Sequence, residues 1–220
     1  MYLMTGDDSI HLAQLTAFSD GVIAIAIALL AFQVTPPDVS REEIARNFLG
    51  VLVQMAPAIA GFLQSFLVIG ICWTIHHRLF QYIKQYDNGL MWMNLFFLLT
   101  VSFLPVPSSF MIRFLAEPNV MLFYLLCMAF TGLATLLLWR CASHRHRLVD
   151  TRLTPQFLRW ITMRSIIVPV VALISFVFYF LTPYAVYTFV YLLMIAFALL
   201  PRIIGNRPCT PRKPPRPQAD

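Results

Sequence analysis

The chain has 220 residues, of which 59% are hydrophobic and 12% charged, and its mean hydropathy is +0.73. A soluble domain of this length needs a polar surface that such a composition does not supply, so an all-α integral membrane protein is expected. The net charge of +6 sits between and after apolar blocks, as membrane topology requires, and does not form a nucleic-acid-binding patch.

The first apolar block runs from about Ile10 to Val34 and stops at Pro36 and Pro37. Its N-terminal side carries Asp7 and Asp8, not a basic region, so no cleavable signal peptide is expected. A short polar link leads to Ser40, which suits the start of a second helix with Glu42 and Glu43 in its first turn. That helix extends to about Ile83, longer than a span requires, so its end with His76, His77, Arg78 and Lys84 is expected to protrude. A third block, about Asn88 to Leu104, is closed by Pro105 and Pro107. The fourth covers about Val120 to Trp139 and the fifth about Ile161 to Leu181; Thr182 and Pro183 then lead into a sixth, about Ala185 to Leu200. The predicted architecture is a six-helix bundle over residues 1–206, followed by a disordered basic, Pro-rich cytoplasmic tail over residues 207–220. Cys72, Cys127, Cys141 and Cys209 lack metal-ligand spacing and are read as reduced; no metal site and no cofactor are expected.

Lys and Arg set the orientation. Arg78, Lys84, Arg140, Arg145, Arg147, Arg152, Arg159, Arg202, Arg207, Arg212, Lys213 and Arg216 fall on one side, against Arg41, Arg46 and Arg113 on the other. The first side is expected to be cytoplasmic, with both termini on it, in the cell inner (plasma) membrane.

The first helix departs from an ordinary span. It reads Phe18-Ser19-Asp20-Gly21-Val22-Ile23-Ala24-Ile25-Ala26-Ile27-Ala28-Leu29-Leu30, and a carboxylate at the edge of a span is costly unless paired, solvated or functional. At about 100° per residue, Ala24, Ala28 and Ala31 form a small-residue stripe. Ile25, Leu29 and Phe32 flank it on one side, and Ile23, Ile27 and Leu30 on the other. Small stripes let helices approach closely in lipid. Periodicity alone does not distinguish lipid, a neighbouring helix and a symmetric pore as the partner of a bulky stripe.

Phe18-Ser19-Asp20 with its following Gly-Val-x-Ala-Ile-Ala-Ile run resembles the signature of the transmembrane-protein-175 family of potassium channels, in its prokaryotic single-repeat form. Trp73-Thr74-Ile75-His76-His77-Arg78-Leu79-Phe80 is similar to the family's stretch after the second span. The resemblance implies a homotetramer in the lipid bilayer, conducting potassium ions through a central pore lined by the first helix. It also implies that Ile25, Ala28, Leu29 and Phe32 are the pore and gate positions. No Thr-Val-Gly-Tyr-Gly filter occurs in the chain, which fits a pore gated by bulky side chains that exclude water. Gln14 stands where the family has Arg, and Ala28 where it often has Thr. Losing that hydroxyl implies modest potassium selectivity.

Phe18, Ser19, Asp20, Trp73 and His77 form a candidate structural network. Asp20 is expected to accept from Ser19, Trp73 or His77, tying the first helix to the second. The plainer alternative leaves both histidines in the headgroup region. Two rival functions are a small transporter or proton carrier using Asp20 and His77, and a membrane hydrolase using Asp20, His76 and His77. Neighbouring histidines point about 100° apart on a helix, which disfavours their sharing one metal ion.

Overall fold

The computed structural model describes residues 6–114, 117–144, 147–150 and 153–179. The helices are α1 (Gly6–Ala31), α2 (Arg41–Tyr82), α3 (Asn88–Phe103), α4 (Pro105–Arg113), α5 (Pro118–Ser143) and α6 (Pro155–Tyr179). The expected sixth span, 185–200, and the tail, 207–220, lie outside the described residues.

Ser40 caps α2 by accepting from the Glu43 amide at 3.2 Å, with Glu42 and Glu43 in the positive first turn. Near its start the helix is broken at Asn47, where φ is −143° and ψ 54°. The Asn47 side chain accepts from the Gly50 amide at 3.0 Å, capping the helix where it resumes, and Gly50 leaves room for that side chain.

The third block does not end at Pro105 as expected. The helix restarts at once as α4, and Asn88–Arg113 together make one membrane-length rod of 26 residues. Pro105 occupies the first turn of α4, where a missing amide costs nothing and a fixed φ is pre-organised for helix. The helix of the fifth block starts before its expected run at Ile161, because α6 begins at Pro155 and takes in Arg159. Among the described residues, four helical rods are long and apolar enough to cross a membrane: α1, α2, α3 with α4, and α5.

α5 packs along α3 and α6, while α1 lies against α2, α3 and the end of α4. Trp139, Tyr124, Phe97, Leu90 and Leu138 fill the centre, and the Trp139 indole donates to Thr162 of α6 at 2.9 Å. At the end of the bundle that holds the α2–α3 connection, Ile83 and Val149 form an antiparallel bridge. Lys84 and Gln85 amides donate to the Leu148 carbonyl, and the Asp150 amide to that of Tyr82. Arg147 pairs with Asp87 at 2.6 Å, and Asp87 also caps α3 through the Leu90 amide. Tyr86, in the same connection, stacks on His11 of α1 with ring centres 5.1 Å apart. The N-terminal part of α1 is therefore anchored to this closed end.

Candidate functional site

On α1, Leu15, Ser19, Ile23, Ala26 and Leu30 are buried, a repeat of three and four residues that keeps one face turned into the protomer. The opposite side carries Gly21, Ile25, Ala28, Leu29 and Phe32, all exposed on the protomer surface. Ile25 is 63% exposed, Leu29 46% and Phe32 79%, whereas Ile23 is 1% and Leu30 0% exposed. The two bulky stripes that periodicity left equivalent therefore have opposite environments. Ile23 and Leu30 pack in the protomer's own core, with Ile27 against it. Among the described residues, Ile25, Ala28, Leu29 and Phe32 form a continuous apolar strip that stays exposed.

Two polar links hold α1 at the level of the Phe-Ser-Asp motif. The Trp73 indole donates to Asp20 Oδ1 at 2.8 Å, joining α2 to α1. Deeper in, Asn94 Nδ2 of α3 donates to Ser19 Oγ at 2.8 Å, while the Ser19 hydroxyl donates to the Leu15 carbonyl at 2.7 Å. His76 Nε2 lies 2.8 Å from Asn94 Oδ1. Because the Asn94 amide nitrogen is committed to Ser19, its oxygen must accept, so His76 carries its proton on Nε2. The His76 ring is fully buried, 5.0 Å from Phe97 and nearly parallel to it, with Phe80 on another side at 4.4 Å. A directed chain thus runs His76 to Asn94 to Ser19 to Leu15 across three helices.

Of the three donors open to Asp20, the structure shows Trp73, which ties the first helix to the second. Ser19 is not a donor to Asp20, since its proton goes to Leu15. His77 does not bond Asp20; it stacks on Trp73 at 5.4 Å and so supports the indole from behind. Phe18 is exposed and stands outside the hydrogen-bonded chain. The headgroup alternative fails for His76, which is sealed in the protein. Sequence reading missed Asn94 altogether and passed over His76 for its neighbour. The available signal was an amide in the middle of a mostly apolar span, which in lipid marks an interhelical contact.

The arrangement offers little to hydrolytic chemistry. Asp20 is held by an indole, His76 faces an amide, and His77 lies against a ring, so the three do not converge on a shared point. Among the described residues, no group of three or more His, Cys, Asp and Glu side chains could hold a metal ion.

A polytopic helical membrane protein is what this fold defines, with one polar-pinned helix presenting an apolar strip outward. Residues 14–105, which hold the strip and both polar links, match the family model described as Endosomal/lysosomal potassium channel TMEM175. A protein from Streptomyces collinus named potassium channel is 36% identical over 140 residues, covering 62% of this chain and 66% of that one. A protein of the same description from Chamaesiphon minutus is 28% identical over 194 residues, covering 84% and 93%. The mouse protein named Endosomal/lysosomal proton channel TMEM175 is 28% identical across 90% of this chain, which spans only 39% of the mouse protein's length. The crystal structure of a lysosomal potassium-selective channel TMEM175 homolog from Chamaesiphon minutus superposes with a TM-score of 0.70 at 26% identity, covering 86% of this chain and 97% of that one. The chain belongs to the TMEM175 family, alongside these bacterial members.

Proposed function

We propose that this chain is the subunit of a potassium-conducting cation channel, a homotetramer whose central pore is lined by α1 of each copy. The single observation that carries the pore assignment is the outward apolar strip Ile25, Ala28, Leu29 and Phe32, left exposed among the described residues while the equally bulky Ile23 and Leu30 are consumed by the core. The names of the Streptomyces and Chamaesiphon relatives support potassium as the permeant ion. Four converging isoleucines at Ile25 would exclude a hydrated ion and close the path by dewetting, and a tilt of α1 would reopen it. Ala28 contributes no hydroxyl to a dehydrating cation, so selectivity is modest. Phe18, Ser19, Asp20, Trp73 and His77, joined by His76 and Asn94, serve to hold α1 and not to bind ions. Residues 1–206 form the channel, 207–220 a cytoplasmic tail, and the protein resides in the plasma membrane with both termini inside, as the Lys and Arg distribution requires. It performs no enzymatic reaction and needs no cofactor.

The experiment is reconstitution of the purified protein in vesicles, with mass measured in lipid and reversal potentials recorded under opposed potassium and sodium gradients. A tetramer with unit currents reversing toward the potassium potential is expected. A monomer, or transport without unit conductance, overturns the reading. Ala28→Thr should move the reversal potential further toward that of potassium.

A second reading, proton carriage through Asp20 and His77, is favoured by the mouse relative, which is named a proton channel. A pH gradient imposed in the same vesicles separates the two. Under the potassium reading the reversal potential stays where the potassium gradient sets it; under the proton reading it follows the pH gradient.

A further inference from the structure

The C-terminal end of α1 carries a polar tie of its own. The chain leaves the helix through short turns, with the Gln33 amide donating to Leu30 and the Val34 amide to Ala31 at 3.1 and 3.2 Å. At that exit the Gln33 side chain crosses to the α3–α4 break, where its Nε2 donates to the Pro105 carbonyl at 2.6 Å. Its Oε1 is buried with no partner, so the amide is held there by that one bond. Between this tie and the Ser19–Asn94 link, the inward face of α1 is apolar: Ile23, Ala26 and Leu30. The helix is therefore pinned by polar bonds at two levels. Ile25 lies about 9 Å of helical rise beyond the first and about 12 Å before the second; Phe32, the most exposed member of the strip, is covalently adjacent to the second.

The second pin is attached to a particular place. Between α3 and α4 the ladder is interrupted: the Leu104 amide closes a short turn onto the Val101 carbonyl at 3.1 Å, and Pro105 and Pro107 bring no amide of their own to carry the rod across. We propose that Gln33 is a positioning residue for the last ring of the conduction path: its bond to Pro105 makes Phe32 follow α4, while Ile25 follows the Ser19–Asn94 link and stays with α3. The two ends of the strip then belong to different mechanical bodies, and the α3–α4 break sets the aperture at Phe32 independently of the constriction at Ile25. This rests on the assignment of Ile25, Ala28, Leu29 and Phe32 to the pore.

The test uses the full chain with its four native cysteines replaced, carrying Phe32→Cys or Ile25→Cys, each with and without Gln33→Glu. A carboxylate keeps the size of the amide but cannot donate to a carbonyl. Intersubunit disulfide formation under mild oxidation is followed in reconstituted protein. Gln33→Glu should change the rate at Phe32→Cys by about fivefold, the worth of one lost hydrogen bond, and leave that at Ile25→Cys unmoved. If both positions cross-link and Gln33→Glu shifts neither, or shifts both alike, the positioning role is overturned. If neither position cross-links in a stable protein, the pore assignment fails instead. Unitary conductance gives a second route without cysteines: Gln33→Glu, Phe32→Ala and the pair are compared. Non-additive effects support the coupling, and additive ones overturn it.

Discussion

The two faces of α1 are made of nearly the same residues and live in different surroundings. Ile23 and Ile25 have identical side chains two positions apart, yet one is sealed in the protomer and the other stands 63% exposed. In water such a difference would be written into the sequence as apolar against polar. In lipid both faces are apolar, because hydrocarbon is no worse a neighbour for isoleucine than protein is. What decides the rotation of the helix is polar: Ser19 bonding to Asn94, and Asp20 to Trp73, fix which side turns inward. A few hydrogen bonds thus orient a face that hydrophobicity leaves free.

The sharpest way to break the comparison is to place the same amide on each face. Ile23→Asn buries an unpaired amide and leaves a gap in the core, and should lower stability by about 3 kcal/mol, read as a lower unfolding temperature in detergent. Ile25→Asn should leave that temperature nearly unchanged and raise leak current in vesicles, since an amide helps water enter a hydrophobic constriction. Equal destabilisation by both would mean that the faces are not distinct.

Removing the orienting bonds comes next. Asn94→Leu leaves the buried His76 N–H without an acceptor and should cost about 2 kcal/mol by the same unfolding measurement, with loss of tetramer. Little change there would show that the chain from His76 to Ser19 does not set the rotation of α1. Asp20→Asn weakens a bond between partly exposed groups, and about 1 kcal/mol is expected. Trp73→Phe should cost about as much, and the two together no more than either alone, with ion preference unaltered. A large change in ion preference in stable Asp20→Asn tetramers would move Asp20 from anchoring to conduction. The smallest effect belongs to the pair between half-buried Asp87 and exposed Arg147. Arg147→Ala should cost under about 0.5 kcal/mol, and that cost should fade with added salt.

Long apolar runs made the helices legible, and the strict cap at Ser40 was readable from one residue type and its neighbours. α4 was hidden because Pro105 reads both as a stop and as a first-turn residue, and only packing against α2 and α5 chooses between them. At the site, the Asp20–Trp73 bond lay within reach of motif reasoning. The choice between His76 and His77 did not, because adjacent residues differ by a rotation that only the position of α3 resolves. Nor could the sequence say which α1 stripe is consumed by the core, since Ile and Leu populate both.

The bridge between Ile83 and Val149 has a consequence for how the molecule is made. Its two residues flank everything from α3 through α5, so it cannot close until those helices have entered the membrane and turned back. The connection after α5 brings Leu148 and Val149 to bury beside Ile83, and Tyr86 of the same connection touches His11 of α1. A chain still emerging from the ribosome would thus carry an open seam at this end, with the pinned helix waiting on a segment synthesised much later. Closure of that seam marks the moment at which α3, α4 and α5 are all in place, with α6 still to follow.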